Sequence, residues 1–305
     1  MHRLKSWQLF AVCVLTWATT WHAVTYQITP ISPEVGVALR FGLAGLVVML
    51  ACRLRGLRLP AKLRDHAMLA LQGTFLYGVS YVCVYYAERH VASGLVAVGY
   101  SASPLITGLG ASALFGIRVG GRFLVGGLLG LSGVALIFWP EFGKATHQDD
   151  VLLGAGFTIA SVFLSAVGSL AASRNLSRGV SFWPALGLGM TYGAIACLLI
   201  ALGRGQSLAL PTTTAWWITL AYLVLAGSIL TFACFLTLQD RIGPGPTGSI
   251  GVMTPLLALL VSVALEGFRP DAFTALGAAL AVAGNALMLR REPTVLRRSA
   301  AQASR

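Results

Sequence analysis

Apolar residues dominate this chain in runs about twenty long, separated by short polar intervals. The runs occupy 7–27, 34–52, 66–87, 92–116, 122–139, 151–173, 181–202, 215–238, 245–265 and 271–289. A helix rises 1.5 Å per residue, so about 20 apolar residues cross the hydrocarbon of a bilayer. The pattern predicts an all-α integral membrane protein with ten transmembrane helices. The first run follows Arg3 and Lys5, but the bulky Trp17 to Trp21 stretch offers no small-residue cleavage site. It reads as a permanent helix, not a signal peptide.

Composition excludes most other classes. Of 305 residues 56% are hydrophobic and 10% charged, whereas a soluble domain carries about 25% charged residues. Soluble enzymes, disordered tails and disulfide scaffolds are ruled out. Cys13, Cys52, Cys83, Cys197 and Cys234 lie within or at the ends of apolar runs without a C-x-x-C pair. They read as packing, and no metal or cofactor is expected. The net charge of +12 becomes informative once placed. With the N-terminus inside, 17 Lys and Arg residues fall in inside loops and tails, and four (Arg89, Lys144, Arg204 and Arg269) fall outside. That asymmetry predicts cytoplasmic N- and C-termini and makes the basic residues topological anchors. No nucleic-acid partner is expected; the bilayer and a small-molecule substrate are.

Sliding the chain against itself by 151 residues aligns Pro104 with Pro255, Gly94 with Gly245, Gly116 with Gly267, Arg118 with Arg269, Gly126 with Gly277 and Gly133 with Gly284. Residues 94–137 yield 13 identities without a gap, and Tyr81 and Cys83 meet Phe232 and Cys234. The repeat divides the chain into 1–143, 144–291 and a cytoplasmic tail 292–305. Five spans per half is an odd number, so the second half enters the membrane from the opposite side. Inverted repeats are a common plan of secondary transporters, which bind at mid-bilayer beside interrupted helices. Pro104 and Pro255 mark the matching bends, which either line a site or only kink helices for packing.

Polar and aromatic residues at membrane depth supply the site candidates. Trp17, Trp21, Tyr77, Tyr81, Tyr100 and Ser103 are expected on one cavity wall, with Ser165, Ser228, Phe232 and Met253 opposite. Tyr77, Tyr81 and Tyr85 share a helix face at i, i+4, i+8. Ser161, Ser165 and Ser169 also recur every four residues, which suits close helix contact as well as a cavity. Arg40, roughly 9 Å from the outer end of its span, either pairs with a substrate carboxylate or snorkels to headgroups. His22 is either a proton relay or a hydrogen-bonding neighbour. Glu34, Glu88 and Glu266 sit at span ends, so mid-span carboxylates of the kind an organic-cation exporter would use are missing. Gly126, Gly130 and Gly133, echoed by Gly277 and Gly284, form faces for packing within the chain or for a homodimer.

Ten spans in this arrangement resemble the EamA-type exporters of the drug/metabolite transporter superfamily, across residues 7–290. The carrying residues are Trp17, Ser32-Pro33, Leu39-Arg40-Phe41, Pro104, Gly126 with Gly133, and Pro255, Glu266, Gly277 and Gly284. The first half departs with Phe115 where the family's pattern has a glutamate. The resemblance implies a plasma-membrane exporter of amino acids or related metabolites from bacterial cytoplasm, through a cavity between the halves. A lipid- or drug-handling transporter of the same fold is the alternative. A membrane enzyme is disfavoured, because the five histidines are scattered and no H-E-x-x-H occurs.

Overall fold

The computed structural model describes residues 4–29, 31–116, 119–144, 148–242 and 250–289. The expected tail 292–305, Arg118 and Gly245 lie outside them. The described residues form ten helical rods: α1 (Ser6–Thr25), α2 (Pro33–Leu54), α3 (Leu63–Ala87), α4 (Ser93–Phe115), α5 (Gly121–Lys144), α6 (Gln148–Ser177), α7 (Phe182–Gly203), α8 (214–242), α9 (Ile250–Leu265) and α10 (Ala272–Leu289). Their ends fall within a few residues of those expected from hydropathy. Eight are long and apolar enough to cross a bilayer. Polar Gln8, Thr16, Thr19, Thr20 and His22 dilute α1, and α9 is shorter within the described residues.

Local signals set the rods. Ser32 caps α2, its hydroxyl accepting from the Val35 amide at 3.4 Å, and Pro33 occupies the first turn, where no amide is needed. α4 ends at Gly116 with φ +68°, and its repeat partner Gly267 after α9 has φ +69°. That left-handed turn is one a side chain resists. α3 and α8 each contain a π-helical segment, Thr74–Val79 and Leu223–Leu230. These overlap under the 151-residue shift.

Packing obeys the repeat. Exchanging each helix of the first five with its counterpart in the second turns the α1–α9 contact into α6–α4, and α3–α6 into α8–α1. The α2–α7 and α5–α10 contacts map onto themselves. The fold is therefore two five-helix repeats in inverted orientation. One end of the bundle carries the described chain termini and the α2–α3, α4–α5, α6–α7 and α8–α9 connections. The other, here the loop end, carries the α1–α2, α3–α4, α5–α6, α7–α8 and α9–α10 connections. The outer surface is greasy: Leu46, Leu128, Ile159 and Ile218 are each more than 60% exposed, as lipid contact requires.

Glycine faces join α5 to α10. A methyl on Gly133 would collide with the Gly277 carbonyl oxygen, and one on Gly126 would fall 2.5 Å from that of Gly284. The glycine stripes thus serve contact inside the molecule. Gly133→Val is expected to cost about 1–3 kcal/mol by overpacking and to lower the thermal midpoint of the purified protein. Gly156→Ala, facing open space on α6, should leave it unchanged or raise it; equal midpoints for the two variants would refute the close approach.

Candidate functional site

A cavity of about 500 Å³ lies where the two repeats meet. Helical spacing builds its walls: Trp17, Thr20, Trp21 and Val24 from α1, and Tyr100, Ser103, Pro104 and Thr107 from α4, each set at i, i+3, i+4, i+7. Leu76, Tyr81 and Val84 come from α3, Phe232 and Phe235 from α8, and Ile250, Gly251, Thr254 and Pro255 from α9. Arg40 of α2 and Ser169 of α6 complete the lining. Five pairs in this lining are repeat partners: Tyr81 and Phe232, Val84 and Phe235, Tyr100 and Gly251, Ser103 and Thr254, Pro104 and Pro255. Symmetry-related residues of both repeats thus face one cavity.

Aromatic contacts stiffen the wall. Trp17 meets Phe232 edge-on at 5.5 Å and Phe235 at 5.4 Å, and Trp21 meets Tyr100 at 5.2 Å. Pro104 follows a 3-10 turn, Tyr100–Ala102, that breaks the regular hydrogen-bond ladder of α4. The Ser101 carbonyl accepts from Asn285 Nδ2 of α10 at 3.3 Å, and that of Tyr100 from the Ser103 amide. The bend is thus supported from the second repeat.

Arg40 is 2% exposed and does not snorkel. Its guanidinium carbon lies 4.9 Å from the Tyr81 ring centroid and 5.0 Å from that of Phe41. Its Nε donates to Ser228 Oγ at 3.4 Å. Among the described residues it forms no ion pair, so ring quadrupoles and one hydroxyl hold a cation that still has donors to offer.

The loop end is closed by polar bonds. Arg204 Nη1 meets Glu34 Oε1 at 2.6 Å, and Tyr86 donates to the same carboxylate at 3.1 Å, tying α7, α2 and α3. Arg89 donates to the carbonyls of Ile28 and Ile31. His22 Nδ1 lies 2.9 Å from Glu266 Oε1. Glu266 also accepts from the Ser93 amide and hydroxyl and, at 2.9 Å, from Ser262 Oγ. This latch joins α1, α4 and α9 at the amino end of α4, where helix dipoles favour an anion. Burial alone would push the Glu266 carboxyl up, but these donors hold it below the ordinary glutamate value. Towards the other end, the lining runs on through Thr107, Ser169, Phe235 and Ile250.

Of the residues expected from sequence, Trp17, Trp21, Tyr81, Tyr100, Ser103, Phe232, Arg40, Pro104 and Pro255 meet at this cavity. Tyr77, Ser165, Ser228 and Met253 do not line it. Tyr77 is buried between Phe41 and Phe232, with centroids at 5.6 and 5.9 Å. Ser165 bonds back to the Val162 carbonyl, and Ser228 to that of Leu223, both in the manner of packing hydroxyls. Met253 is 41% exposed, one residue out of phase with the wall. His22 serves the latch. Sequence reading did not single out Val24, Leu76, Val84, Thr107, Phe235 and Ile250, whereas Ser169 stood on the serine stripe, Thr20 among the polar residues of the first span, and Gly251 and Thr254 in the stretch before Pro255. The repeat shift could have assigned Gly251 and Thr254 to the wall, since they are the partners of Tyr100 and Ser103.

The family model described as the EamA-like transporter family matches this chain twice, over residues 5–139 and 152–290. The uncharacterized inner membrane transporter YedA of Escherichia coli K12 is 28% identical over 85% of this chain and 82% of its own. A probable terminal-alkyne amino-acid exporter of Streptantibioticus cattleyicolor is 26% identical over 93% of both chains. The uncharacterized transporter YvbV of Bacillus subtilis is 23% identical over 87% of this chain and 84% of its own. One solved crystal structure shares the fold, with a TM-score of 0.65 at 20% identity, covering 96% of this chain and 98% of the other.

The latch has a pH signature. A carboxyl held low when folded adds stability above the unfolded glutamate value of about 4.3, and loses it as pH falls through the folded value. The protection factors of the Ser93 and Gly94 amides, rates taken relative to the intrinsic rate at each pH, should therefore fall as pH drops below the unfolded glutamate value of about 4.3. Glu266→Gln should exchange faster already at pH 7, with little further acid response. Slow exchange in that variant at pH 7 would show that the carboxylate does not hold this end shut.

Proposed function

This chain belongs to the EamA-like transporter family, and from that premise we propose that it exports amino acids or related small metabolites by secondary-active alternating access. It is a multi-pass membrane transporter. The repeats 1–143 and 144–291 rock about the shared cavity, and the solute is exposed to one face at a time. The carrying observation is a single cavity built from symmetry-paired residues, latched at the loop end and lined towards the other. Such a geometry is what one half-cycle of alternating access needs.

Solute recognition follows from the wall. Trp17, Trp21, Tyr81, Tyr100 and Phe232 accept an apolar or ring portion, and Ser103 and Thr254 offer hydroxyls. Arg40 receives the carboxylate as a planar, bidentate donor. The name of the Streptantibioticus relative supports amino-acid cargo. The protein resides in a bacterial inner membrane, as its Escherichia coli relative is named to do. Both termini lie in the cytoplasm, supported by Arg53, Arg55, Arg58, Lys62, Arg64, Arg174, Arg178 and Arg241 at that end. In that orientation the latched loop end is periplasmic, and the cavity is disposed to take solute from inside. Lipid or drug handling is the second reading. It is favoured by an apolar groove of about 600 Å³, lined by Val47, Leu225, Ile229 and Leu230, on the outer surface between α2 and α8.

Overproducing cells should release and resist particular amino acids or analogues, and proteoliposomes offered pooled metabolites should accumulate the same compounds. Arg40→Gln should lower transport of the carboxylate form about tenfold to a hundredfold, as expected for loss of a charge-assisted hydrogen bond, and spare its methyl ester. Unchanged transport of both forms by that variant would remove Arg40 from recognition. Export of lipid analogues alone would favour the second reading.

A further inference from the structure

Glu88 stands apart from the other acids of the loop end. It caps the carboxyl end of α3, is 6% exposed, and among the described residues neither carboxyl oxygen has a hydrogen-bond partner. A lone carboxylate removed from water is strongly disfavoured and takes a proton instead. Its location adds to this, since the carboxyl end of a helix is the negative pole of its dipole. Glu266 has the opposite surroundings: the amino end of α4, two hydroxyls, an amide and His22.

Resting on the alternating-access reading above, we propose that Glu88 is a proton-binding site, neutral while the loop end is shut and ionised when that end opens. The groups around it set the balance. Glu266, at the end of α9, repels a second negative charge, and His22 of α1 is engaged with Glu266. Arg40 of α2 attracts one, and the Tyr85 hydroxyl lies one turn back on α3. Arg89, Glu34 with Arg204 and Tyr86, and His90 with Asp150 are held in their own bonds. Burial is the largest influence and Glu266 the second. Together they outweigh Arg40 and push the Glu88 carboxyl well above its ordinary range.

Opening admits water, the O–H bond of Glu88 breaks, and one proton leaves to the solvent at the loop end. Closing takes one back. The charge also reaches the cavity, because Arg40 both lines it and attracts a charge on Glu88. Neutral Glu88 leaves Arg40 free for a solute carboxylate, whereas ionised Glu88 supplies a competing counter-charge that favours solute release at the loop end. Solute and proton are thereby linked through one guanidinium, and the linkage is reciprocal.

Two measurements test this. Infrared difference spectra of the full chain in lipid nanodiscs should show the carbonyl stretch of a protonated carboxylic acid at neutral pH. The band should shift in D2O, disappear in Glu88→Gln and persist in Glu266→Gln. Its absence from the wild type, or its survival in Glu88→Gln, overturns the proposal and needs no variant to fold differently. Spin labels at Thr29→Cys and Arg269→Cys, with the native cysteines replaced by alanine, report the width of the loop end. The distance should lengthen as pH rises; Glu88→Gln should abolish that response, and Glu88→Asp should restore it. Opening driven by added amino acids but unaffected by pH would overturn the proton site alone. A loop end immobile under every pH and every pooled amino acid would overturn the alternating-access reading and this proposal together.

Discussion

A charge withdrawn from water must be paired, stacked against polarisable groups, or neutralised, and the closed end of this protein uses all three solutions. Glu266 is paired, gathering donors from three helices at the amino end of α4. Arg40 lies over the Tyr81 and Phe41 rings with one hydroxyl in support. Glu88 has neither arrangement. Glu266 ties α1, α4 and α9 together and Arg40 ties α2 to α3 and α8, so the same electrostatic demand also positions the cation that lines the cavity.

The cavity follows the inverted repeat, but the latch breaks it. Under the 151-residue shift, Glu266 corresponds to Phe115, Ser262 to Ala111, His22 to Ser173 and Ser93 to Pro244. No carboxylate or imidazole stands at the mirrored positions, and Phe115 is 41% exposed. Wall and latch thus differ in symmetry: under the proposed alternating access both conformations would share the paired walls, whereas the unpaired latch would favour the form closed at the loop end.

Most of the architecture was legible in the sequence because hydrocarbon imposes length and burial rules on every span. The ten runs, the matched prolines and the glycine faces of α5 and α10 all rest on those rules. The site was legible only where helix phase is regular. Tyr77, Tyr81 and Tyr85 form one stripe at i, i+4, i+8 in the sequence, yet only Tyr81 faces the cavity. The π-helical segment Thr74–Val79 lies within that register and rotates the residues beyond it. The matching segment in α8 is fixed by Ser228 and Thr231 hydroxyls bonding carbonyls five residues back, an outcome of tertiary packing with no local sequence mark. Met253 failed by a single residue of phase, and its neighbour Thr254, the partner of Ser103, occupies the wall. Glu34, Glu88 and Glu266 are at span ends, as expected; that Glu88 folds inward depends on loops whose course hydropathy does not specify.

Shape and charge divide the work of selection. An aromatic wall discriminates weakly among apolar bodies, because a methylene more or less changes binding by only about 1–3 kcal/mol. A buried guanidinium discriminates strongly, since a solute without an anionic group leaves its donors unmet at full desolvation cost. For the carboxylate cargo proposed above, this wall would give breadth in the side chain and strictness at the carboxylate. Arg40 also attracts a charge on Glu88, which Glu266 of the latch repels, so under the proposed mechanism a change of affinity at Arg40 would also shift the balance between the two conformations.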